Sequence, residues 1–229
     1  MASTQSKTWK LYDLTLGLFV AVLMISNIAS TKITSLGPFV FDGGTILFPL
    51  SYIFGDVLTE VYGFKGARRI IWAGFGALLL MVLTITLVGI MPAAGGWDHQ
   101  ESYENILMLT PRLGLASFLG YLTGSFTNSV ILSRLKVKMA GQKLWVRTIA
   151  STLVGEGFDT VIFCLVAFLG VLPSDVLWAL IVSNYIFKVA IEVLLTPLTY
   201  KVVAFYKRHE TEDVYDHNID YEIFGIRKT

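Results

Sequence analysis

Six ionisable side chains lie inside segments that are otherwise apolar, and these residues are the ones that could do chemistry. They are Asp56, Glu60, Glu156, Asp159, Lys188 and Glu192. A charge at the centre of a bilayer costs about 2.5–3.5 kcal/mol on insertion scales, so six such residues cannot all face lipid. They must face the interior of a helix bundle, pair with one another or line a wet cavity.

Helical spacing places these residues on defined faces. Asp56 and Glu60 are four residues apart, and Tyr52 extends their face by another turn. Glu156 and Asp159 are three residues apart and share a face of a second helix. A stripe at intervals of four runs along a third helix, and its members are Asn184, Lys188 and Glu192.

Five acids and one base at this depth leave carboxylates without an internal partner, which favours a binding site over purely structural ion pairs. We expect one polar cavity near the middle of the membrane. Its members are Asp56, Glu156, Asp159, Lys188 and Glu192, with Asn27 and Asn184 at its wall. Lys188 would hold Asp56 or donate to a ligand. Glu60 lies near the cytoplasmic end of its segment, where reaching water is the alternative to binding, and a buried network that only joins helices is the alternative for the whole set.

The elements that position these residues are apolar segments long enough to cross a bilayer, which takes about 20 residues. The chain is 54% hydrophobic and only 15% charged, whereas a soluble domain has about 25% charged residues. We therefore predict an all-α integral membrane protein with six transmembrane helices. The predicted spans are 11–33, 45–62, 67–91, 112–132, 149–171 and 178–204.

Lysine and arginine residues alternate between the two sides at every crossing, which predicts that both termini are cytoplasmic. The loop at 133–148 is expected inside and the loop at 92–111 outside. This topology predicts three regions. They are a cytoplasmic N-terminus (1–10), a six-helix transmembrane domain (11–205) and an acidic cytoplasmic tail (206–229). We expect the tail to be loosely ordered, because it is polar and rich in acids.

A weak internal repeat relates the first three spans to the last three. Ser26-Asn27 is echoed by Thr127-Asn128-Ser129, and Gly55-Asp56 is echoed by Gly155-Glu156. Because each unit contains an odd number of spans, the two units would be inverted in the membrane, as in many transporters. Chance recurrence of small and polar residues is the alternative.

The connection at residues 37–44 is apolar but too short and broken for a helix, so it is either a re-entrant cavity lining or an ordinary interfacial loop. The sequence has no Walker A loop, nucleophile elbow or zinc motif. Its one cysteine gives no disulfide framework. These observations give enzyme chemistry little support, and we expect no metal and no cofactor.

At these same positions the chain resembles the queuosine precursor transporter family, once called the vitamin uptake transporter family. The resemblance covers about residues 11–205. It is carried by Ser26-Asn27, Asp42-Gly43-Gly44, Phe48-Pro49, residues 55–63, residues 67–71, Ala150-Ser151-Thr152, residues 155–160, Phe187-Lys188-Val189 and Glu192. It implies uptake of 7-deazaguanine bases such as preQ0, preQ1 or queuine across the bacterial inner membrane.

The polar residues suit the ligand that the resemblance implies. A deazaguanine presents two adjacent donors, which one carboxylate can accept together, and its carbonyl needs a donor such as Lys188 or an asparagine amide. We expect substrate contacts from Asn27, Tyr52, Asp56, Glu60, Glu156, Asp159, Asn184, Lys188 and Glu192. The expected partners are this small molecule and the lipid bilayer, with no nucleic acid, and a homodimer is compatible with the sequence.

The alternative function is a substrate-binding subunit of an energised vitamin or nucleobase importer, which would need an ATPase module. Such a subunit needs a docking surface of small residues, and Gly17 with Ala21 on the first span gives one weak pair. A membrane enzyme or structural protein is the third class, and it predicts that the buried carboxylates have no role in uptake.

Overall fold

The computed structural model of the protein describes residues 9–36, 39–108, 111–210 and 213–224. Its helices are α1 (Tyr12–Ala29), α2 (Phe48–Gly89), α3 (Gln100–Leu107), α4 (Pro111–Lys138), α5 (Leu144–Phe168) and α6 (Ser174–Glu210). Two short strands, β1 (Ile33–Leu36) and β2 (Phe39–Asp42), form an antiparallel hairpin, and a 3-10 turn at Gly43–Leu47 leads into α2. Apart from this hairpin, the regular structure of the described residues is helical, as predicted.

Five of these helices are long and apolar enough to cross a membrane, and α2 is twice the usual length at 42 residues. A regular α-helix of that length would span about 63 Å, roughly double the hydrocarbon core of a bilayer. The backbone of Gly63 leaves the helical region, with φ 71° and ψ 179°. Glycine adopts this left-handed φ without steric penalty because it has no Cβ, so Gly63 divides α2 into two halves.

Contacts with α1 show that the two halves of α2 run in opposite directions. The first half begins beside Ser26, whose hydroxyl donates to Gly44 O just before α2. It ends beside Tyr12, whose ring makes an edge-to-face contact with Tyr62 at a centroid distance of 5.0 Å. The second half starts at the same end, where the hydroxyl of Tyr12 donates to Gly66 O at 2.9 Å. It then returns along α1 to the level of Asn27 and Thr31, which lie beside Met81 and Ile85. Gly63 is therefore the turn of a helical hairpin, and the bundle contains six helical segments.

The helix ends differ from the predicted spans in three places. α1 stops at Ala29, and residues 33–36 form β1 instead of continuing the first span to 33. α4 continues to Lys138 and α5 begins at Leu144, so the predicted loop at 133–148 shrinks to residues 139–143. The connection at 37–44 contains β2 and the start of the 3-10 turn, while Gly37 and Pro38 lie outside the described residues.

The segment at residues 213–224 packs across the turn at Gly63 instead of being loosely ordered. The break leaves backbone groups of α2 without helical partners, and this segment satisfies them. Val214 N donates to Val61 O at 3.1 Å, and Phe64 N donates to the carboxylate of Asp216 at 2.7 Å. Asp216 thus caps the second half of α2 from a distant part of the chain, where a negative charge is favoured by the helix dipole.

A second distant cap joins the end of α6 to the start of α1. The amides of Lys10 and Leu11 donate to the carboxylate of Glu210, at 2.9 and 2.5 Å. The hydroxyl of Tyr62 donates to the same carboxylate at 2.9 Å. The start of α1, the turn of α2 and the end of α6 therefore meet at one end of the bundle.

Candidate functional site

Lys188 lies between two carboxylates of α5 in the interior of the bundle. Its Nζ is 2.9 Å from Glu156 Oε2 and 2.5 Å from Asp159 Oδ2. The Lys188 side chain is 14% exposed, and those of Glu156 and Asp159 are 18% and 23% exposed. This triad joins α5 to α6, carries a formal charge of minus one and is partly exposed.

Close packing of α4 against α5 fixes the position of Asp159. A Cβ at Gly124 of α4 would lie 2.7 Å from the Cβ of Asp159, and one at Gly155 of α5 would lie 2.8 Å from the Cβ of Asn128. Because glycines at these crossings let the two backbones approach, the carboxylate of α5 is held against α4 and directed towards α6.

A second pair of carboxylates, Asp56 of α2 and Glu192 of α6, is fully buried beside this triad. Each residue is 1% exposed, and the two carboxyl groups interact electrostatically between α2 and α6. The amide of Asn128 donates to Asp56 Oδ1 at 3.4 Å. Within the described part of the chain, no donor reaches Asp56 Oδ2 or either oxygen of Glu192.

Tyr52 lies between the two groups, because it is about one turn from Asp56 on α2 and its hydroxyl interacts electrostatically with Glu156. Glu156 and Glu192 are also close enough to interact electrostatically. The polar cluster therefore draws on four helices. Its members are Tyr52, Asp56, Asn128, Glu156, Asp159, Lys188 and Glu192.

The structure brings together most of the residues singled out from sequence, with four differences, of which Glu60 is described separately below. Lys188 pairs with Glu156 and Asp159 instead of holding Asp56. Asn27 donates to Leu23 O within its own helix at 2.9 Å and lies near α2 instead of the polar cluster. Asn184 lies two turns from Glu192 on α6 and is exposed.

Glu60 belongs to a separate ion cluster at the end of the bundle where α2 turns. Its carboxylate accepts two hydrogen bonds from Arg147, one at 3.1 Å, and one from Lys207 at 2.8 Å. Lys136 Nζ lies 3.9 Å from Glu60 Oε1 and donates to the backbone carbonyl of Glu60. Arg147, Lys136 and Glu60 are each 2% exposed or less, so this cluster ties α2, α4, α5 and α6 together away from the accessible acids.

Asp213 completes the Glu60 cluster from the segment that follows α6. Lys207 Nζ is 2.9 Å from its carboxylate, and Lys136 also donates to it. Burial opposes ionisation of Asp213, but the hydrogen bonds and charges of these two lysines outweigh it and lower the pKa of the Asp213 carboxyl. Asp213 therefore stays charged and holds its segment to the ends of α4 and α6.

Sequence reasoning did not find the Glu60 cluster, because it assigned Arg147, Lys136 and Lys207 to solvated cytoplasmic loops. One signal was present for Arg147, which sits in the apolar run Leu144-Trp145-Val146 and precedes Ser151 by one turn. Asn128 was noticed only as an echo of Asn27, and its contact with Asp56 depends on how α4 packs against α2.

The polar cluster suits recognition of a small polar molecule. It offers two partly accessible carboxylates as acceptors, an ammonium group and a phenol as donors, and an asparagine amide. Side chains from four helices meet there, so relative movement of the helices would change the site. That combination is typical of binding sites inside membrane bundles, where ionisable residues mark substrate or ion pathways.

Comparison with known proteins places this chain among transporters. Residues 42–202 match the family model described as "Putative vitamin uptake transporter". A "Probable queuosine precursor transporter" of Bacillus subtilis is 30% identical over 189 residues, covering 81% of this chain and 82% of the relative. A "Queuosine precursor transporter" of Escherichia coli is 29% identical over 125 residues, covering 55% and 54% of the two chains. No solved structure matches this chain.

Proposed function

This chain belongs to the vitamin uptake transporter family, and from that membership we propose that it imports queuosine precursors, the 7-deazaguanine bases. The family is one of transporters, so the chain is a multi-pass protein of the bacterial inner membrane and not an enzyme. The resemblance inferred from its motifs is confirmed by the match over residues 42–202. The substrate comes from the names of its relatives in Bacillus subtilis and Escherichia coli.

The triad of Glu156, Asp159 and Lys188 is the main support for placing the ligand at this site. A 7-deazaguanine presents a ring N–H beside an exocyclic amine, and a carboxylate can accept both at once. The ring carbonyl on the same edge requires a donor, which Lys188 supplies. Glu156 and Asp159 are partly exposed, whereas Asp56 and Glu192 are fully buried, so the ligand reaches the two acids of α5 first.

The remaining candidate residues lie either beside the triad or away from it. Tyr52 lies beside Glu156, with which its hydroxyl interacts electrostatically. Asp56 and Glu192 lie behind the triad, and Asn184 lies one turn beyond Lys188 towards the start of α6. Glu60 and Asn27 lie outside the polar cluster and are assigned no ligand contact.

Glu156→Gln and Asp159→Asn are expected to weaken binding of preQ0 while leaving the protein folded. Each change converts an acceptor oxygen into a donor at the edge that the ligand needs. Loss of one hydrogen-bonding partner in a buried site costs about 1–3 kcal/mol, which is roughly tenfold to a hundredfold in affinity. Calorimetric titration of each detergent-purified variant with preQ0, guanine and riboflavin measures the effect and the selectivity.

Glu101→Gln provides the matched control, because this glutamate is exposed on α3 outside the bundle. Thermal unfolding of every variant checks folding. Parental affinity for preQ0 in both well-folded α5 variants would place the ligand elsewhere and leave the triad as a purely structural ion pair. Absence of deazaguanine binding by the parent chain would refute the proposed substrate.

We also propose that the end of the bundle holding the Glu60 cluster faces the cytoplasm, together with both termini and the acidic tail. The excess of lysine and arginine at that end supports this orientation. Cysteines at Ser102 and Gln142 are expected to react with an impermeant thiol reagent from opposite sides, with Ser102 outside. The native Cys164 is fully buried, and a Cys164→Ala background removes it. Labelling of both positions from one side would reject the orientation.

An inverted repeat of two three-helix units completes the proposed architecture. The Gly63 hairpin makes each unit three segments long, and the echoes of Asn27 by Asn128 and of Asp56 by Glu156 support the relation. The contact of Gly155 with Asn128 has no counterpart at Gly55, where a Cβ would meet no atom within 4 Å. Superposition of residues 11–91 on 112–204 with opposite orientation is the test.

The alternative, a substrate-binding subunit that docks on an ATPase module, is favoured by one feature of α1. Gly17 and Ala21 are exposed on one face, and a Cβ at Gly17 would meet no atom within 4 Å. A second copy of this chain could occupy the same face as a homodimer. Uptake of preQ0 into vesicles that contain only the purified chain supports the stand-alone transporter, whereas binding without uptake supports the subunit.

A further inference from the structure

Asp56 and Glu192 are two buried carboxyl groups that require a proton. Both residues are 1% exposed, they interact electrostatically, and among the described residues no donor reaches Asp56 Oδ2 or either oxygen of Glu192. Two ionised carboxylates cannot share a buried site, because their repulsion adds to the cost of desolvating each charge. A proton on one of them converts the repulsion into an O–H···O⁻ hydrogen bond, which is short and strong.

No neighbouring cation or hydrogen-bond donor among the described residues can stabilise the two carboxyl groups in place of this proton. On α2, Glu60 lies one turn away and Tyr52 interacts with Glu156; on α4, the neighbour is the neutral amide of Asn128. On α5, Glu156 interacts with Glu192, and on α6, Lys188 lies one turn from Glu192 and is held by Glu156 and Asp159. Arg147, Lys136 and Lys207 are engaged with Glu60. Among the described residues, no donor reaches Asp56 Oδ2, Asn128 Oδ1 or either oxygen of Glu192.

The location of the pair is suited to linking proton movement with ligand movement. Asp56 precedes Gly63 by seven residues, which is about 10 Å along the helix. The pair therefore lies between the accessible triad and the Glu60 cluster at the end of the bundle. Glu192 interacts with Glu156, so the field at the pair changes when a ligand neutralises or displaces charge at the triad. Chains of buried acids at such positions carry protons in membrane transporters.

We propose that Asp56 and Glu192 share a single proton and that the exchange of this proton drives uptake, so that one proton enters the cell with each ligand. In the loaded state one carboxyl is protonated and the other is ionised. When the site opens inwards, the shared proton leaves to cytoplasmic water, and both carboxylates are hydrated until a proton from outside replaces it. This inference deepens the proposed function and rests on it.

The test uses the full chain in vesicles that contain a trapped pH-sensitive dye, with preQ0 added outside. PreQ0 is neutral, so acidification of the interior reports on the co-transported proton. We expect preQ0 to acidify the interior, and an imposed acid-outside gradient to accelerate accumulation of radiolabelled preQ0. A proton ionophore should abolish that acceleration. A sodium gradient at constant pH should have no effect.

Glu192→Gln and Asp56→Asn are expected to lose the acidification, because an amide can form the hydrogen bond but cannot exchange the proton. Asp175→Asn on the same helix is the matched control and should acidify like the parent, since Asp175 is exposed at the start of α6. Acidification of the interior by the parent chain tests proton co-transport even where a variant fails to fold.

The outcomes separate this inference from the proposed function. Parental import of preQ0 without acidification, or driven only by a sodium gradient, overturns proton coupling and leaves the transporter intact. Acidification by both pair variants at the parental rate overturns the assignment to Asp56 and Glu192. If the parent chain neither binds nor imports any deazaguanine, the proposed function itself is refuted.

Discussion

Lys188→Met is expected to weaken binding of preQ0 strongly and to lower the thermal unfolding temperature. Methionine keeps the length of the side chain but leaves Glu156 and Asp159 as two carboxylates without their cation. Truncating one partner of a buried, hydrogen-bonded charge pair costs about 2–5 kcal/mol. The three side chains are 14–23% exposed, so we expect the lower half of that range, or roughly thirtyfold to several hundredfold in affinity.

Two further variants separate the role of Lys188 in folding from its role in binding. Lys188→Met with Asp159→Asn removes one stranded charge, so it should recover part of the lost stability without recovering binding. Lys188→Arg keeps the charge and should unfold close to the parent. Parental affinity for preQ0 in well-folded Lys188→Met would show that the ammonium group neither contacts the ligand nor positions the acids that do.

Glu60→Gln should produce the largest loss of stability, and it should do so without specifically affecting the ligand. Lys136 and Arg147 are 2% and 1% exposed and would lose the carboxylate they surround. Breaking a buried ion pair by removing one partner costs about 3–5 kcal/mol, which corresponds to a fall in unfolding temperature on the order of 10 °C for a chain of this size. Thermal unfolding in detergent measures the fall.

Asp213→Asn is the matched comparison for this prediction. Asp213 joins the same cluster, but its side chain is 40% exposed, so its loss should be mild. Glu60→Gln with Arg147→Gln should recover part of the stability, because it also removes one unpaired cation. If Glu60→Gln unfolds like the parent but fails to bind preQ0, Glu60 belongs to the ligand site and not to a structural cluster.

The arrangement of spans and the faces of the helices could be predicted because they follow from local patterns. Apolar length located the six segments, and spacing of three or four residues placed Glu156 with Asp159 and Lys188 with Glu192. The pairing between helices could not be predicted in the same way. Lys188 meets Asp159 and not Asp56, and this pairing depends on how α2, α5 and α6 pack together, which no local pattern encodes.

In two places, amino-acid composition predicts a different environment from the one in the structure, for the same reason. The segment at 213–224 is polar, which is typical of disorder, yet it is ordered by the open backbone groups at Gly63. Arg147 and Lys136 were counted as solvated loop charges, yet both are buried around Glu60. In each case a polar group finds a partner that is distant in the chain, and no local pattern in the sequence identifies that partner.

The distant caps on α1 and α2 impose an order on biosynthesis. Asp216, which caps Phe64, is translated 152 residues after it, and Glu210, which caps Lys10, is translated 200 residues after it. At translation rates of about 5–20 residues per second, the break in α2 stays uncapped for roughly 8–30 s after it is made. During that interval the first hairpin has open backbone groups at its turn. A ribosome that stalls before residue 210 therefore leaves a bundle in which α1 and the second half of α2 lack these caps.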